Sequence, residues 1–166
     1  MTLVVGDTAP LRYLVEISHE DLLPQLFVKV WIPGAVSEEL RHKQAPAVVR
    51  RWAEHLPGWI EVREVQGGPS EHELAGLDRG EWEAIQLARA LGADLLLIDE
   101  RAGARLARQE GFAVTGTLGV LVEAAKRGLI SIDDTLTRLG KTNFRRTPSL
   151  FAEAKDLIAR SGKRGS

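Results

Sequence analysis

Asp7, Glu39, Glu81 and Asp99 each stand at the end of an apolar stretch or inside the helix that should follow one. Asp7 follows Leu3-Val4-Val5-Gly6, and Glu39 follows Pro33-Gly34-Ala35-Val36. Glu81 closes Asp78-Arg79-Gly80-Glu81, and Asp99 follows Leu95-Leu96-Leu97-Ile98. An ionised carboxylate at a buried strand tip needs a positive or wet partner. In parallel α/β sheets, ligands bind at the carboxyl ends of the strands. Four acids gathered there would repel one another unless a divalent cation lay between them. Oxygen-only ligation suits Mg²⁺ or Mn²⁺.

Each acid also has a plainer reading. Asp7 and Asp99 could cap the helices after them. Glu39, beside Glu38, could be a solvated helix charge. Glu81 sits three residues after Asp78, the spacing of a capping box. The four histidines (His19, His42, His55, His72) lack the clustering of a ligand set and read as surface residues.

To hold the acids, the chain must alternate strand and helix. Leu3–Gly6, Phe27–Ile32, Ile60–Val65, Leu95–Ile98 and Phe112–Val114 read as strands. Leu95–Ile98 is the most apolar and the expected sheet centre. Helices are expected over Pro10–Ile17, Asp21–Leu26, Val36–His42, Pro46–His55, Gly80–Leu91, Ala102–Gln109, Leu118–Arg127, Ile132–Leu139 and Ser149–Ala159. Gly92 and Gly128 stand where helix-ending glycines belong. Short apolar strands separated by helices predict an α/β fold, a three-layer α/β/α sandwich on a mainly parallel sheet. Residues 1–160 read as one domain and 161–166 as a frayed tail.

The 166 residues suffice for a full core, and the absence of cysteine excludes disulfides, thiolate metal sites and thiol nucleophiles. No secretion-signal pattern opens the chain, and no apolar run approaches the roughly 18–20 residues of a membrane span. A cytoplasmic location without membrane association is the expectation. Net charge is −1, but its distribution is uneven: residues 1–100 carry 17 acids and 9 bases, and residues 101–166 carry 6 acids and 13 bases. An acidic part that can hold metal, joined to a basic part that can hold phosphate, suits a nuclease. Arg101, Arg105, Arg108, Arg145 and Arg146 are the candidate phosphate contacts. The first three could equally decorate an exposed helix face. Trp31, Trp52, Trp59 and Trp82 could stack on bases, although Trp52 and Trp82 lie on apolar faces. No Walker loop, dinucleotide fingerprint or phosphoacceptor-aspartate pattern is present.

Four segments carry a family resemblance: VVGDTAPLRYL (4–14), VWIPGAVSEEL (30–40), the long run from LDRGEWEAIQLARALGADLLLIDE through EAAKRGLI (77–130), and TNFRRTPSLF (142–151). On these the chain resembles the PIN-domain proteins, the fold of the VapC-type toxin ribonucleases, and within them a group of short prokaryotic proteins described as nucleic-acid-binding. The resemblance implies a Mg²⁺- or Mn²⁺-dependent ribonuclease whose metal-binding and catalytic quartet is Asp7, Glu39, Glu81 and Asp99. Asp7 and Asp99 are expected to bind most directly, and Glu39 and Glu81 less directly. Val36, three residues before, selects Glu39 over Glu38. Thr8, Glu38, Glu100 and Thr117 are candidates for supporting roles. The family often has serine two residues after the first acid, and this chain has Ala9. The implied partners are RNA and a small cognate antitoxin, with dimerisation also expected. Leu14, Ile17 and Phe151 are candidate interface residues. A catalytically weak or inactive binding module is the alternative.

Overall fold

The computed structural model describes residues 2–70, 76–145 and 148–164. Among these, five strands form one wholly parallel sheet in the order β3-β2-β1-β4-β5. They are β1 (Val4–Gly6), β2 (Val30–Pro33), β3 (Ile60–Arg63), β4 (Leu95–Leu97) and β5 (Ala113–Thr115). Between and after them come α1 (Thr8–Glu16), α2 (Leu22–Phe27), α3 (Gly34–Leu40), α4 (Ala47–Glu54), α5 (Arg79–Leu91), α6 (Arg101–Gln109), α7 (Thr117–Lys126), α8 (Ile132–Leu139) and α9 (Pro148–Arg164). α9 thus runs beyond Ala159, where the sequence pattern ends it.

The inner strands β1, β2 and β4 are apolar because the sheet is covered on both faces there, while the edge strand β3 carries Glu61 and Arg63. Side chains alternate between the faces. Val4 and Leu97 join a core with Leu11, Leu14, Leu23, Val36 and Leu121. Val5 and Leu96 join the opposite core with Ile85, Leu87 and Ala107. α5 and α6 therefore form one outer layer, and α1–α4 with α7–α9 form the other. Each fully buried Val or Leu contributes about 1.5–3 kcal/mol relative to exposure, so register is strongly fixed.

The fold differs from its sequence reading in three further places. β1, not the more apolar β4, holds the centre; β4 is its neighbour. Leu14 and Ile17, expected at an interface, are 0% and 3% exposed and belong to the core. α1 offers Leu11, Leu14 and Val15 at helical spacing, and that face is used inward. Finally, Phe27–Ile32 is not one strand. α2 continues to Phe27, and the chain reverses at Val28, with φ 70° and ψ −55°.

The Lys29 N–H bonds the Phe27 carbonyl at 2.8 Å, closing a three-residue γ-turn around Val28. A β-branched residue at positive φ is strained. Val28 is 62% exposed, so its side chain recovers little by burial. Val28→Gly is expected to raise stability by about 1 kcal/mol, the relieved strain exceeding the added chain entropy. An unchanged or lowered denaturation midpoint would refute this.

No helix among the described residues is long and apolar enough to cross a membrane.

Candidate active site

Parallel pairing brings the ends of β1 and β4 together. Gly6 lies opposite Leu97, and the Asp7 N–H donates to the Leu97 carbonyl at 2.9 Å. Asp7 and Asp99 therefore leave adjacent strands at the same edge of the sheet. β2 runs beside β1 and delivers α3 with Glu39, while α5 lies over the other face and contributes Glu81.

Asp7 is 4% exposed and occupies the N-cap position of α1 without a side-chain capping bond. Its Oδ1 is buried with no partner among the described residues. Burial pushes its carboxyl well above the ordinary value. The Thr8 amide opposes this, while the charges of Asp78, Glu81 and Glu39 add to it.

Glu39 is half-buried and Glu38 is exposed. Thr8 Oγ1 donates to Glu39 Oε2 at 2.6 Å. The hydroxyl missing at Ala9 is thus matched by one at Thr8, spent on the second acid. Burial raises the Glu39 carboxyl; the Thr8 hydroxyl and Gly80 amide lower it, and Asp78 and Glu83 raise it.

The capping box around Glu81 is half made. Asp78 Oδ1 accepts from the Glu81 N–H at 2.8 Å, so Asp78 caps α5. Glu81 itself is 4% exposed, and its Oε2 has no hydrogen-bond partner among the described residues. Burial first, then the charges of Asp78 and Glu100, raise its carboxyl from 4.5 to about 7.

Asp99 does not cap α6, whose N-cap is Glu100. It turns instead to the start of α7, where Oδ1 accepts from the Thr117 N–H and Oδ2 from Thr117 Oγ1, both at 2.6 Å. Burial raises its carboxyl, both Thr117 bonds lower it, and the Glu100 charge raises it. Glu100 is exposed at this rim.

Glycines make the close approach possible. A Cβ on Gly80 would stand 2.8 Å from Glu39 Oε1 and 3.3 Å from Asp7 Oδ1. One on Gly103 would stand 3.3 Å from Glu81 Oε2. The acids thus crowd around the starts of α5 and α6. The unpartnered oxygens belong to Asp7 and Glu81, however, while both Asp99 oxygens are engaged. Among the described residues no three His, Asp or Glu side chains stand in metal-holding range of one point. The donor chemistry nevertheless suits a hard cation: oxygen only, desolvated, mutually repelling and partly unsatisfied.

The sequence model of the PIN-domain family matches residues 3–160. The chain belongs to the PIN-domain family. No curated protein matches it. The PIN domain is in general a nuclease-type fold, and here its sheet edge carries the acids that the sequence pattern singles out.

Arg101, Arg105 and Arg108 of this PIN domain are exposed along α6, opposite the buried Gly103, Ala104 and Ala107. Arg145 is exposed, and Arg146 lies outside the described residues. His42 and His55 are exposed, His19 is half-buried with Nε2 3.3 Å from Thr135 Oγ1, and His72 lies outside the described residues. Trp82 is in the core, and the Trp52 and Trp59 rings pack with centroids 6.1 Å apart. Trp31 is met by Lys29 and Arg63, 5.1 and 4.7 Å from its ring centroid.

Two further acids matter, of which the sequence reading has Asp78 only as a cap and misses Glu83. Asp78 acts electrostatically on Asp7, Glu39 and Glu81. Glu83 is 4% exposed; its Oε1 accepts from the Ala35 N–H at 3.2 Å and its Oε2 from Arg79 Nε at 2.9 Å. It ties α5 to the uncapped first turn of α3, and hence Glu81's helix to Glu39's. The Asp78 capping spacing was visible in the sequence, but nothing local marks Glu83.

Gly116 offers a direct test of the Asp99 geometry. Its φ of −115° and ψ of −167° suit any residue, but a Cβ there would stand in severe overlap with Asp99 Oδ1. Gly116→Ala should displace the carboxylate from Thr117 and cost about 1–3 kcal/mol. A wild-type denaturation midpoint would refute that placement.

Proposed function

We propose that the protein is a metal-dependent ribonuclease that cleaves RNA endonucleolytically, acting as the toxin of a toxin–antitoxin pair. One observation carries this reading: buried, mutually repelling carboxylates with unsatisfied oxygens at the carboxyl edge of a parallel sheet, in a PIN domain. Such a cluster is costly to the fold unless a cation neutralises it.

When bound, Mg²⁺ or Mn²⁺ would activate water and neutralise charge on the phosphate and leaving oxygen. Asp7 and Glu81 offer free oxygens to hold it. Glu39, steadied by Thr8, stands beside Asp7. Asp99, steadied by Thr117, closes the edge and would join the set by turning from that threonine. Glu81 takes up a proton near neutrality when no cation is present.

The engagement of both Asp99 oxygens favours a second reading, a binding module with weak or no catalysis. Incubation with RNA in Mn²⁺ and in EDTA separates the two. The nuclease reading expects Mn²⁺-dependent cleavage that Asp99→Asn abolishes. Cleavage unchanged in Asp99→Asn would place the activity elsewhere. The toxin reading further expects growth arrest on expression, relieved by a small antitoxin encoded alongside.

A further inference from the structure

The chain after α8 doubles back onto α1. Asn143 Oδ1 accepts hydrogen bonds from Tyr13 Oη at 3.0 Å and from Arg12 Nη2 at 3.1 Å. Phe144 stands edge-on to Tyr13, with ring centroids 5.1 Å apart and planes at 89°. The Arg12 guanidinium carbon lies 5.4 Å from the Tyr13 ring centroid, and Arg12 Nε is 3.4 Å from Glu16 Oε2. Thr142 anchors the segment, donating to the Leu139 carbonyl at 2.7 Å and accepting from the Phe144 N–H at 3.1 Å.

This network fixes which way the Asn143 amide faces. Arginine has no acceptor, so the atom opposite it must be the amide oxygen. The Tyr13 hydroxyl then donates to that same oxygen. Both donors fall on Oδ1, and the Nδ2 protons have no partner among the described residues. Arg12 has further N–H groups, and exposed Arg145 follows two residues after Asn143. The outward side of this cluster is therefore rich in donors.

It also lies within electrostatic reach of Asp99 and Glu100. α1 leads directly from Asp7. Burial pushes the Tyr13 phenol above its ordinary value; Arg12 opposes this, while Glu16, Asp99 and Glu100 add to it. A polyanion approaching those carboxylates is repelled unless positive donors meet it alongside.

We infer that Arg12 and Asn143 form a seat for a backbone phosphate of single-stranded RNA flanking the carboxylate cleft, with Tyr13 and Phe144 bracing it. The inference rests on the nuclease reading for the identity of the cleft. Arginine and asparagine side chains are common sources of backbone phosphate contacts, which position a nucleic acid without reading its sequence.

The rival is that the cluster merely fastens the chain after α8 to α1, and Asn143→Asp separates the two. A carboxylate at 143 would accept from both Arg12 and Tyr13, as a charge-assisted acceptor. A fastener therefore tolerates the change. A phosphate seat does not, because an anionic oxygen replaces the outward N–H groups.

Affinity of the full chain for a short fluorescent single-stranded RNA, measured by anisotropy in EDTA over a salt series, reads this directly. Asn143→Asp is expected to melt at or above the wild-type temperature and to bind about tenfold more weakly or worse. Arg12→Ala should weaken binding and make the salt dependence shallower by about one contact. Should the aspartate variant fail to fold, Asn143→Ser, which removes the amide donors without adding charge, is expected to show the same loss in smaller measure.

Wild-type affinity in a folded Asn143 variant overturns the seat, as does a wild-type protein with no measurable RNA affinity. If Mn²⁺-dependent cleavage persists in either case, the nuclease reading stands. RNA affinity that depends on Asn143 in a protein that cleaves nothing keeps the seat and removes the nuclease.

Discussion

Asp7→Asn is expected to melt at a higher temperature than the wild-type protein in EDTA and to lose metal-dependent cleavage. The native carboxylate is 4% exposed, with Oδ1 unpartnered among the described residues. Burial disfavours its charge, and Asp78, Glu81 and Glu39 disfavour it further. Asparagine keeps the shape and removes the charge. The expected gain is on the order of 1–3 kcal/mol, several degrees in a chain of this size. Removing a candidate direct ligand should cost at least about a hundredfold in cleavage, since even supporting residues around a metal are worth 10–100-fold.

Asp99→Asn is expected to change stability less. Both Asp99 oxygens accept hydrogen bonds from Thr117, and an amide can supply only one oxygen. The amide oxygen can keep the Thr117 N–H bond, while the amide nitrogen can donate to Thr117 Oγ1, since a hydroxyl also accepts. Two aspartates at one sheet edge thus differ in the size of their stability effect and share the loss of cleavage. Thermal melts in EDTA beside gel-based cleavage assays in Mn²⁺ check both. A destabilised Asp7→Asn would show that its carboxylate braces the fold; retained cleavage would remove it from the site.

What the sequence showed of this site depended on how local each signal was. The apolar strands declare themselves because they are buried on both faces, and each acid follows such a strand or opens a helix. Gly92 adopts φ 65° at the end of α5, as its helix-ending position predicts. β1's central place was less visible: strand order is set by crossover topology, and apolarity alone favours β4. Glu83 was hidden for a similar reason. In sequence it is one more acid on α5; only the tertiary fold sets it against the Ala35 amide, 48 positions away. The turn at Val28 contradicts residue preference outright. Leu22, Leu23 and Phe27 commit α2 to the core, and the connection must turn where β2 begins, whatever residue stands there. Asp99 is legible as an acid at a strand end, and Thr117 is singled out by the family resemblance alone, because their pairing depends on where α7 begins.

The same carboxylates predict an inverted dependence of stability on pH. Asp7, Glu39, Glu81 and Asp99 all have folded-state values above their ordinary ones, Glu81 at about 7. Between the unfolded and folded values, the native state binds more protons than the unfolded chain. Stability must then fall as pH rises through that window. For Glu81 the window runs from 4.5 to about 7. Metal-free protein is therefore expected to be most stable near the acid end and to lose on the order of 2–3 kcal/mol by neutrality. Mg²⁺ or Mn²⁺ should restore that loss near pH 7, by about 2.7 kcal/mol at a hundredfold excess over Kd, and do little near pH 4.5, where protons compete for the same oxygens. Glu81→Gln should flatten the EDTA profile and weaken the response to metal. Denaturation midpoints in EDTA that stay level or rise between pH 4.5 and 7 would mean that these acids are neutralised by the protein itself, and the case for a cation among them would be lost.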